Sequence, residues 1–183
     1  MINTITRGLL WFSNLLPSRE EKNDNILPQE LHLAIKEVSE VVPRRHLRIL
    51  VGLLELENIM VEEVMPPRNE IIGLNINDPW SKLLNDLANI RYKQLPIYRD
   101  SLDQIEGILK VREVLPLLLQ NNFNKESLRQ IIHKTYFIPE GTSLHIQLLN
   151  FQNHHQRFGL VVNEYGDIQG LLTLKDILKE IIH

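Results

Sequence analysis

The chain has 183 residues, of which 43% are apolar and 23% charged, with a net charge of -3 and no cysteine. These values describe one soluble globular domain, or one domain with an appendage. The negative balance excludes a broad basic surface for nucleic acid. Without cysteine there is neither a disulfide framework nor a thiolate zinc site, and no run of roughly 18 or more apolar residues is present to span a bilayer.

Residues 1–27 form an N-terminal amphipathic segment and linker. Ile2, Ile5, Leu9, Phe12 and Leu16 recur at near-helical spacing, with Arg7 and Trp11 beside them. Three readings stay open for this stretch: a helix packed on a core, an interfacial or membrane-exit helix, and a dimer contact. Residues 17–27 are polar and charged and read as the linker. Residues 28–60 are a helical connector. Pro28 opens a helix with Leu31, Ala34, Ile35 and Val38 on one face. Pro43 opens another with Leu47, Leu50, Val51 and Leu54 at i, i+3, i+4 and i+7.

The first α/β unit spans 61–120. The prolines force Met65 to Arg68 to be extended. Ile71 to Leu74 reads as a strand, and Asp78 with Pro79 as the start of a helix that buries Trp80, Leu83, Leu84 and Leu87. Strands follow at 95–98 and 105–109, joined by a turn over 100–103, and a helix closes the unit from about Arg112 to Leu119. Residues 121–133 are a polar connector with one short helix over 125–132. The second unit, 134–183, has a strand at 136–138, a helix after Thr142, strands at 158–162 and 168–172 joined by a tight turn at Gly166, and a last helix over 174–182.

The two units are copies. LPIYRDSLDQIEGILKVREVLPLL aligns without a gap on FGLVVNEYGDIQGLLTLKDILKEI, so that Gly107 falls on Gly170, Ile105 on Ile168, Leu109 on Leu172 and Glu113 on Asp176. Neither copy is large enough to bury its apolar face alone, so the two must pack together, and the cleft between them is a place for a ligand. Leu83, Leu87, Leu115 and Ile177 offer more apolar helix surface than one module needs, which implies a homodimer.

Gly170-Leu-Leu-Thr173-Leu-Lys-Asp176 sits where the last strand meets the last helix. Gly170 leaves room for a planar ligand. Thr173 stands at a helix start, where backbone N–H groups and the dipole favour phosphate. Asp176 can accept two hydrogen bonds from a ribose diol. The same Thr-x-x-Asp spacing is also a plain helix cap. His133, His145, His154 and His155 have no helical ligand spacing and read as loop histidines. No nucleophile–base pair occurs, so neither catalysis nor a metal centre is expected.

The duplicated unit resembles a pair of CBS domains, a Bateman module. Further segments narrow it: VEEVMPPRNEIIGLNIND, IYRDSLD, FIPEGTSL and GLVVNEYGDIQGLLTLKDILKEI are similar to the CorB/CorC family, which includes the cyclin-M magnesium transporters. The resemblance covers about residues 28–183. It implies tandem CBS domains, each a small sheet packed on helices, and a cytosolic piece of a longer membrane protein at the cytoplasmic face of the inner membrane. It also implies an adenine nucleotide (AMP, ADP or ATP, the last with magnesium) that regulates magnesium or cobalt transport. The alternative is a structural dimerisation module whose site has decayed. Carried over by position, Thr173 and Asp176 match the family's ribose and phosphate contacts. Tyr92 matches the aromatic before the second strand, and Pro96 follows in that strand. Pro66 replaces a threonine and Gln94 an arginine, with Lys93 adjacent as a substitute, so that Thr173, the helix N-terminus and Lys93 or Arg68 are left to meet the phosphate charge. This phosphate end looks poor in charge, so metal-free ATP is expected to bind less readily than AMP or ADP. In the first repeat, Lys110 and Glu113 replace the hydroxyl and the aspartate, so that corner is expected to stay empty.

Overall fold

The computed structural model describes residues 43–120 and 122–182. The N-terminal segment, its linker and the helix expected after Pro28 lie outside the described residues. Helix α1 (Arg44–Glu55) and the short α2 (Val61–Val64) lead into the first repeat. That repeat contains β1 (Leu74–Asn75), α3 (Trp80–Asn89), β2 (Gln94–Arg99), β3 (Ser101–Lys110) and α4 (Val114–Leu119). Then come α5 (Lys125–Gln130) and β4 (Ile132–His133). The second repeat holds β5 (Phe137–Pro139), α6 (Leu144–Asn153), β6 (Phe158–Val162), β7 (Ile168–Thr173) and α7 (Leu174–Ile182).

Strand order is β1-β2-β3-β4 in one sheet and β5-β6-β7 in the other. In each, the first strand runs parallel to the second, and the hairpin β2–β3 or β6–β7 is antiparallel. Alternation along the strands sends side chains to two different interiors. Leu109 joins the first-repeat core with Leu74, Leu83, Leu95, Ile97 and Leu128. Its neighbour Ile108 joins Phe158, Leu160 and Ile168 in a cluster that draws on both repeats. In the second repeat Val161 and Leu172 face a third cluster with Ile138, Leu144, Phe151 and Ile177. Each sheet therefore buries one face on its own helices and the other on its twin. That is why FGLVV reads as a continuous apolar run rather than an alternating one.

Each sheet is also edged by chain from elsewhere, as a short strand on the first and as an isolated bridge on the second. β4, which comes after the first repeat in sequence, pairs with β3 of that repeat, Ile108 with His133 and Leu109 with Ile132. Reciprocally, the opening segment of the first repeat crosses to the second: Pro67 bridges Gly170, and the Leu171 N–H donates to the Pro66 carbonyl at 3.2 Å. Both crossings need a missing side chain. A Cβ on Gly107, whose φ is +154°, would lie 2.3 Å from the His133 carbonyl oxygen. A Cβ on Gly170 would lie 2.4 Å from Met65 Sδ and 2.7 Å from the Pro66 oxygen. The aligned glycines of the repeat are the two places where the partner's backbone presses on the sheet.

Several expectations shift. β4 replaces the end of the helix expected over 125–132, because the chain must turn extended to reach β3. β1 begins at Leu74 rather than Ile71, since Arg68–Glu70 form a 3-10 turn. The first hairpin turns tightly, with Asp100 at φ 60°, so the two strands reach further than the expected four-residue turn allowed. Asp78 is no hydrogen-bonded cap: Pro79 takes the cap position of α3 and Asp78 pairs with Lys82 at 2.8 Å. Leu83 and Ile177 are fully buried within the chain, so they offer nothing to a second copy. Leu115, at 59% exposed, and Leu119, at 76%, remain outside. On α1 the expected apolar face is half open, with Leu50 exposed, and the buried residue is Gly52, lodged on the backbone of Ile181.

Gly107→Ala drives a methyl group into the crossing strand and is expected to cost about 1–3 kcal/mol, the range for overpacking. Gly141→Ala keeps a left-handed φ of +74° but meets nothing within 4 Å, so its cost is confined to backbone strain of about 1 kcal/mol. Urea unfolding of the two variants tests this; equal losses would contradict the close-approach reading of Gly107.

Candidate functional site

The corner where β7 gives way to α7 is built by three segments. β7 contributes Gly170 and Thr173, α7 contributes Asp176, and the crossing segment lays Met65 and Pro66 against Gly170. β6 completes it. Phe158 pairs with Thr173, and the Leu174 N–H donates to the Arg157 carbonyl at 3.0 Å. Arg157 itself is exposed.

Thr173 and Asp176 form a reciprocal cap. One carboxylate oxygen of Asp176 accepts from the Thr173 hydroxyl at 2.5 Å and from the Thr173 N–H at 3.1 Å, while the Asp176 N–H donates to the Thr173 hydroxyl at 3.3 Å. The other oxygen meets Lys179 Nζ at 2.9 Å. The Asp176 side chain is only 14% exposed. Burial works against its ionisation, but the hydrogen bonds from Thr173 and Lys179 and the lysine charge prevail and hold its pKa below the ordinary carboxylate value. The cap and the ligand readings thus coexist. One oxygen is committed to the helix start, and the other is held only by a flexible lysine that is 56% exposed.

Two expectations about this corner change. Gly170 does not leave a face open for a planar group, because Met65 and Pro66 fill that space. The helix start also offers fewer N–H groups than expected: that of Leu174 is taken by the Arg157 carbonyl and that of Asp176 by the Thr173 hydroxyl. A phosphate here must be met chiefly by side chains.

The remaining sequence candidates lie across the inter-repeat interface. Tyr92, 56% exposed, and Lys93 lead into β2, whose first residue Gln94 pairs with Lys110, and the Lys93 carbonyl accepts from the Val111 N–H. Pro96 is buried opposite Ile108, which shares the interface cluster with Phe158, the strand partner of Thr173. No hydrogen bond among the described residues joins Tyr92, Lys93 or Gln94 to Thr173 or Asp176.

Sequence reasoning passed over Arg157. Its signal was available: in the repeat alignment Arg157 falls on Gln94, so the arginine missing from the first copy is present in the second. The first repeat's own corner has a different chemistry. Glu113, one methylene longer than Asp176, reaches His133 of the crossing strand at 2.6 Å and has Lys110 at 3.9 Å. The other histidines are dispersed, His145 near Glu57 at 3.7 Å and His154 on the Asn150 carbonyl at 2.9 Å. Among the described residues no group of three or more His, Asp or Glu could hold a metal ion, and no helix is long and apolar enough to cross a membrane.

Comparison with known proteins agrees with this architecture. Residues 128–183 match the CBS domain family model. The whole chain is similar to a UPF0053 protein of Haemophilus influenzae (41% identical) and to the UPF0053 inner membrane protein YfjD of Escherichia coli (39% identical), but spans only 44% and 42% of their lengths. It is 24% identical, over 94% of its length and 55% of the relative's, to the magnesium and cobalt efflux protein CorC of Pasteurella multocida. Among solved structures, a CBS-domain pair from Klebsiella pneumoniae with bound AMP is 44% identical, with TM-score 0.66, over 68% of this chain and 99% of that one. The CBS domain of a bacterial CNNM/CorC family Mg2+ transporter in complex with ATP is 29% identical, with TM-score 0.69, over 76% of this chain and 97% of that one. Two packed repeats, reciprocal backbone crossings and these relatives together establish that the chain is a tandem CBS-domain pair, with homologues named CorC and structural similarity to the CBS domains of CNNM/CorC transporters.

Proposed function

We propose that this CBS pair is a regulatory, non-catalytic module that binds an adenine nucleotide at the Thr173–Asp176 corner and thereby controls a magnesium or cobalt transport protein at the cytoplasmic face of the inner membrane. The observation that carries the reading is the AMP held by the 44% identical pair from Klebsiella pneumoniae, set beside a corner where the Thr173 hydroxyl meets the Asp176 carboxylate and the Arg157 backbone joins the helix start. The outer oxygen of Asp176 accepts from the ribose diol, displacing Lys179. Arg157 meets the phosphates, the Thr173 hydroxyl joins it by turning its hydrogen from Asp176 to a phosphate oxygen, and Tyr92, Lys93, Gln94 and Pro96 close the cleft from the first repeat. The Lys110–Glu113–His133 cluster fills the first repeat's equivalent corner, so one nucleotide binds per chain. Binding biases the arrangement of a homodimer, and through it the membrane partner.

The second reading, a dimerisation module without ligand, is favoured by one observation: both oxygens of Asp176 already have partners within the chain. Thermal unfolding with AMP, ADP and ATP, with and without magnesium, separates the two. A ligand that binds the folded state raises the midpoint; no shift at millimolar concentration of any of the three favours the second reading.

Asp176→Ala removes charge-assisted hydrogen bonds worth roughly 1.5–3 kcal/mol, so nucleotide affinity should fall about 10- to 150-fold in calorimetry, with a cap loss of only about 1 kcal/mol in stability. Unchanged affinity would remove the residue from the site. Arg157→Gln should weaken ATP by about 5- to 20-fold and AMP by less, because the guanidinium fork answers the added phosphates; equal losses would place Arg157 away from the phosphates.

The pH dependence has a definite sign. Asp176 ionises more readily in the folded chain than its ordinary value of 3.8. Its contribution is therefore fully present above that value and is lost as pH falls through the lowered pKa. The part of the nucleotide affinity attributable to Asp176, read as the difference from Asp176→Ala, should be flat from neutral pH down to about the ordinary carboxylate range and vanish below it; a difference already lost near neutral pH would contradict the assignment.

A further inference from the structure

The crossing segment Met65–Arg68 forms one wall of the nucleotide corner, and its own backbone holds it weakly. Pro66 and Pro67 have no N–H to donate. The contacts that tie the segment to β7 are the Pro66 carbonyl with Leu171 N–H and the Pro67–Gly170 bridge. Arg68 supplies what the prolines cannot. Its guanidinium takes both carboxylate oxygens of Asp103, Nη2 at 2.7 Å from Oδ2 and Nη1 on Oδ1, and Nη1 also donates to the Ile168 carbonyl at 3.1 Å. Asp103 belongs to the β2–β3 hairpin of the first repeat, and Ile168 opens β7 of the second. One side chain thus ties the crossing segment to both repeats at once.

We propose that Arg68, held by Asp103, is a positioning residue that seats the Met65–Pro66 wall against Gly170 and so sets the geometry of the nucleotide corner without touching the ligand. The part concerning the corner rests on the nucleotide reading above; the part concerning the wall does not. Ser101 Oγ steadies the carboxylate from its own hairpin, at 2.9 Å from Asp103 Oδ2. Arg68, first among the causes, and Ser101 lower the Asp103 pKa to about 2, so the clamp is charged at any pH at which the protein would be assayed. A planar fork suits this task because it can bind a carboxylate with two donors and turn a hydrogen to a carbonyl.

Asp103→Ala is the test, since it releases the clamp while leaving Arg68 and every residue of the corner in place. Two readouts are needed. Hydrogen exchange at the Leu171 amide, whose acceptor is the Pro66 carbonyl, should quicken at least about tenfold, consistent with loss of one or two charge-assisted bonds, while the Val161 amide in the core stays protected. Affinity for AMP should fall about 5- to 20-fold in calorimetry, and Asp103→Glu should restore most of both. Unchanged exchange at Leu171 overturns the clamp whether or not nucleotide binds. Faster exchange with undiminished or tighter AMP binding overturns the coupling to the corner, and tighter binding would mean that the freed arginine reaches the phosphate itself. Failure of the unmodified chain to bind AMP counts against the nucleotide reading and the coupling to it, and leaves the exchange result to decide the wall.

Discussion

The whole module depends on the close approach of two backbones at Gly107 and Gly170. Each repeat is too small to finish its own sheet, and each borrows an edge from chain that belongs, in sequence, outside it. The borrowed strand can reach only where a side chain is missing, which fixes both glycines and the register around them. Once the exchange is made, the interface cluster of Ile108, Phe158, Leu160 and Ile168 closes between the sheets. The crossing segments also become walls of the two corners at which a strand passes into a helix. Fold and site therefore share one constraint: the residues that complete the sheets are the ones that border the clefts.

From this common frame the two corners have diverged by small chemical steps. At the second, threonine and aspartate close a compact cap that leaves one carboxylate oxygen on a solvent-exposed lysine. At the first, lysine and glutamate stand in the same places. The extra methylene lets Glu113 reach across to His133 of the borrowed strand. One corner keeps a carboxylate that can exchange a partner, while the other spends its carboxylate on an inter-repeat contact. Arg157 and Gln94 repeat the pattern in a single position, with the cation present only beside the corner that retains aspartate.

Much of this was legible in the sequence. The ungapped repeat announces the duplicated unit, and the alignment of Gly107 with Gly170 and of Glu113 with Asp176 locates both corners. Local roles are the most legible: Gly166 reads as a turn glycine, and Thr173-x-x-Asp176 reads as a helix cap as well as a ligand site, because a turn or a cap acts within a few residues of chain. What escaped depends on contacts distant in sequence. Nothing near Ile132 marks it as a strand, because its strand partner is Leu109 of the first repeat, distant in sequence. Gly170 looked like an opening because its occupant, Met65, is far upstream. Leu83 and Ile177 looked surplus because helix periodicity marks an apolar face without saying what covers it. Arg157 was within reach of the repeat alignment, and the strand register, which sets Phe158 opposite Thr173, places its backbone beside the corner.

The central claim is that the two pseudo-equivalent corners are functionally unequal, with the nucleotide held at the second. Amide chemical-shift mapping of the isotope-labelled chain during titration with AMP addresses it most directly. The account predicts the largest changes at Thr173, Leu174 and Asp176 and at Arg157 beside them, with the amides of Lys110 to Glu113 at the first repeat's corner changing little. Changes centred on Lys110 and Glu113, or no changes anywhere at saturating AMP, would contradict it.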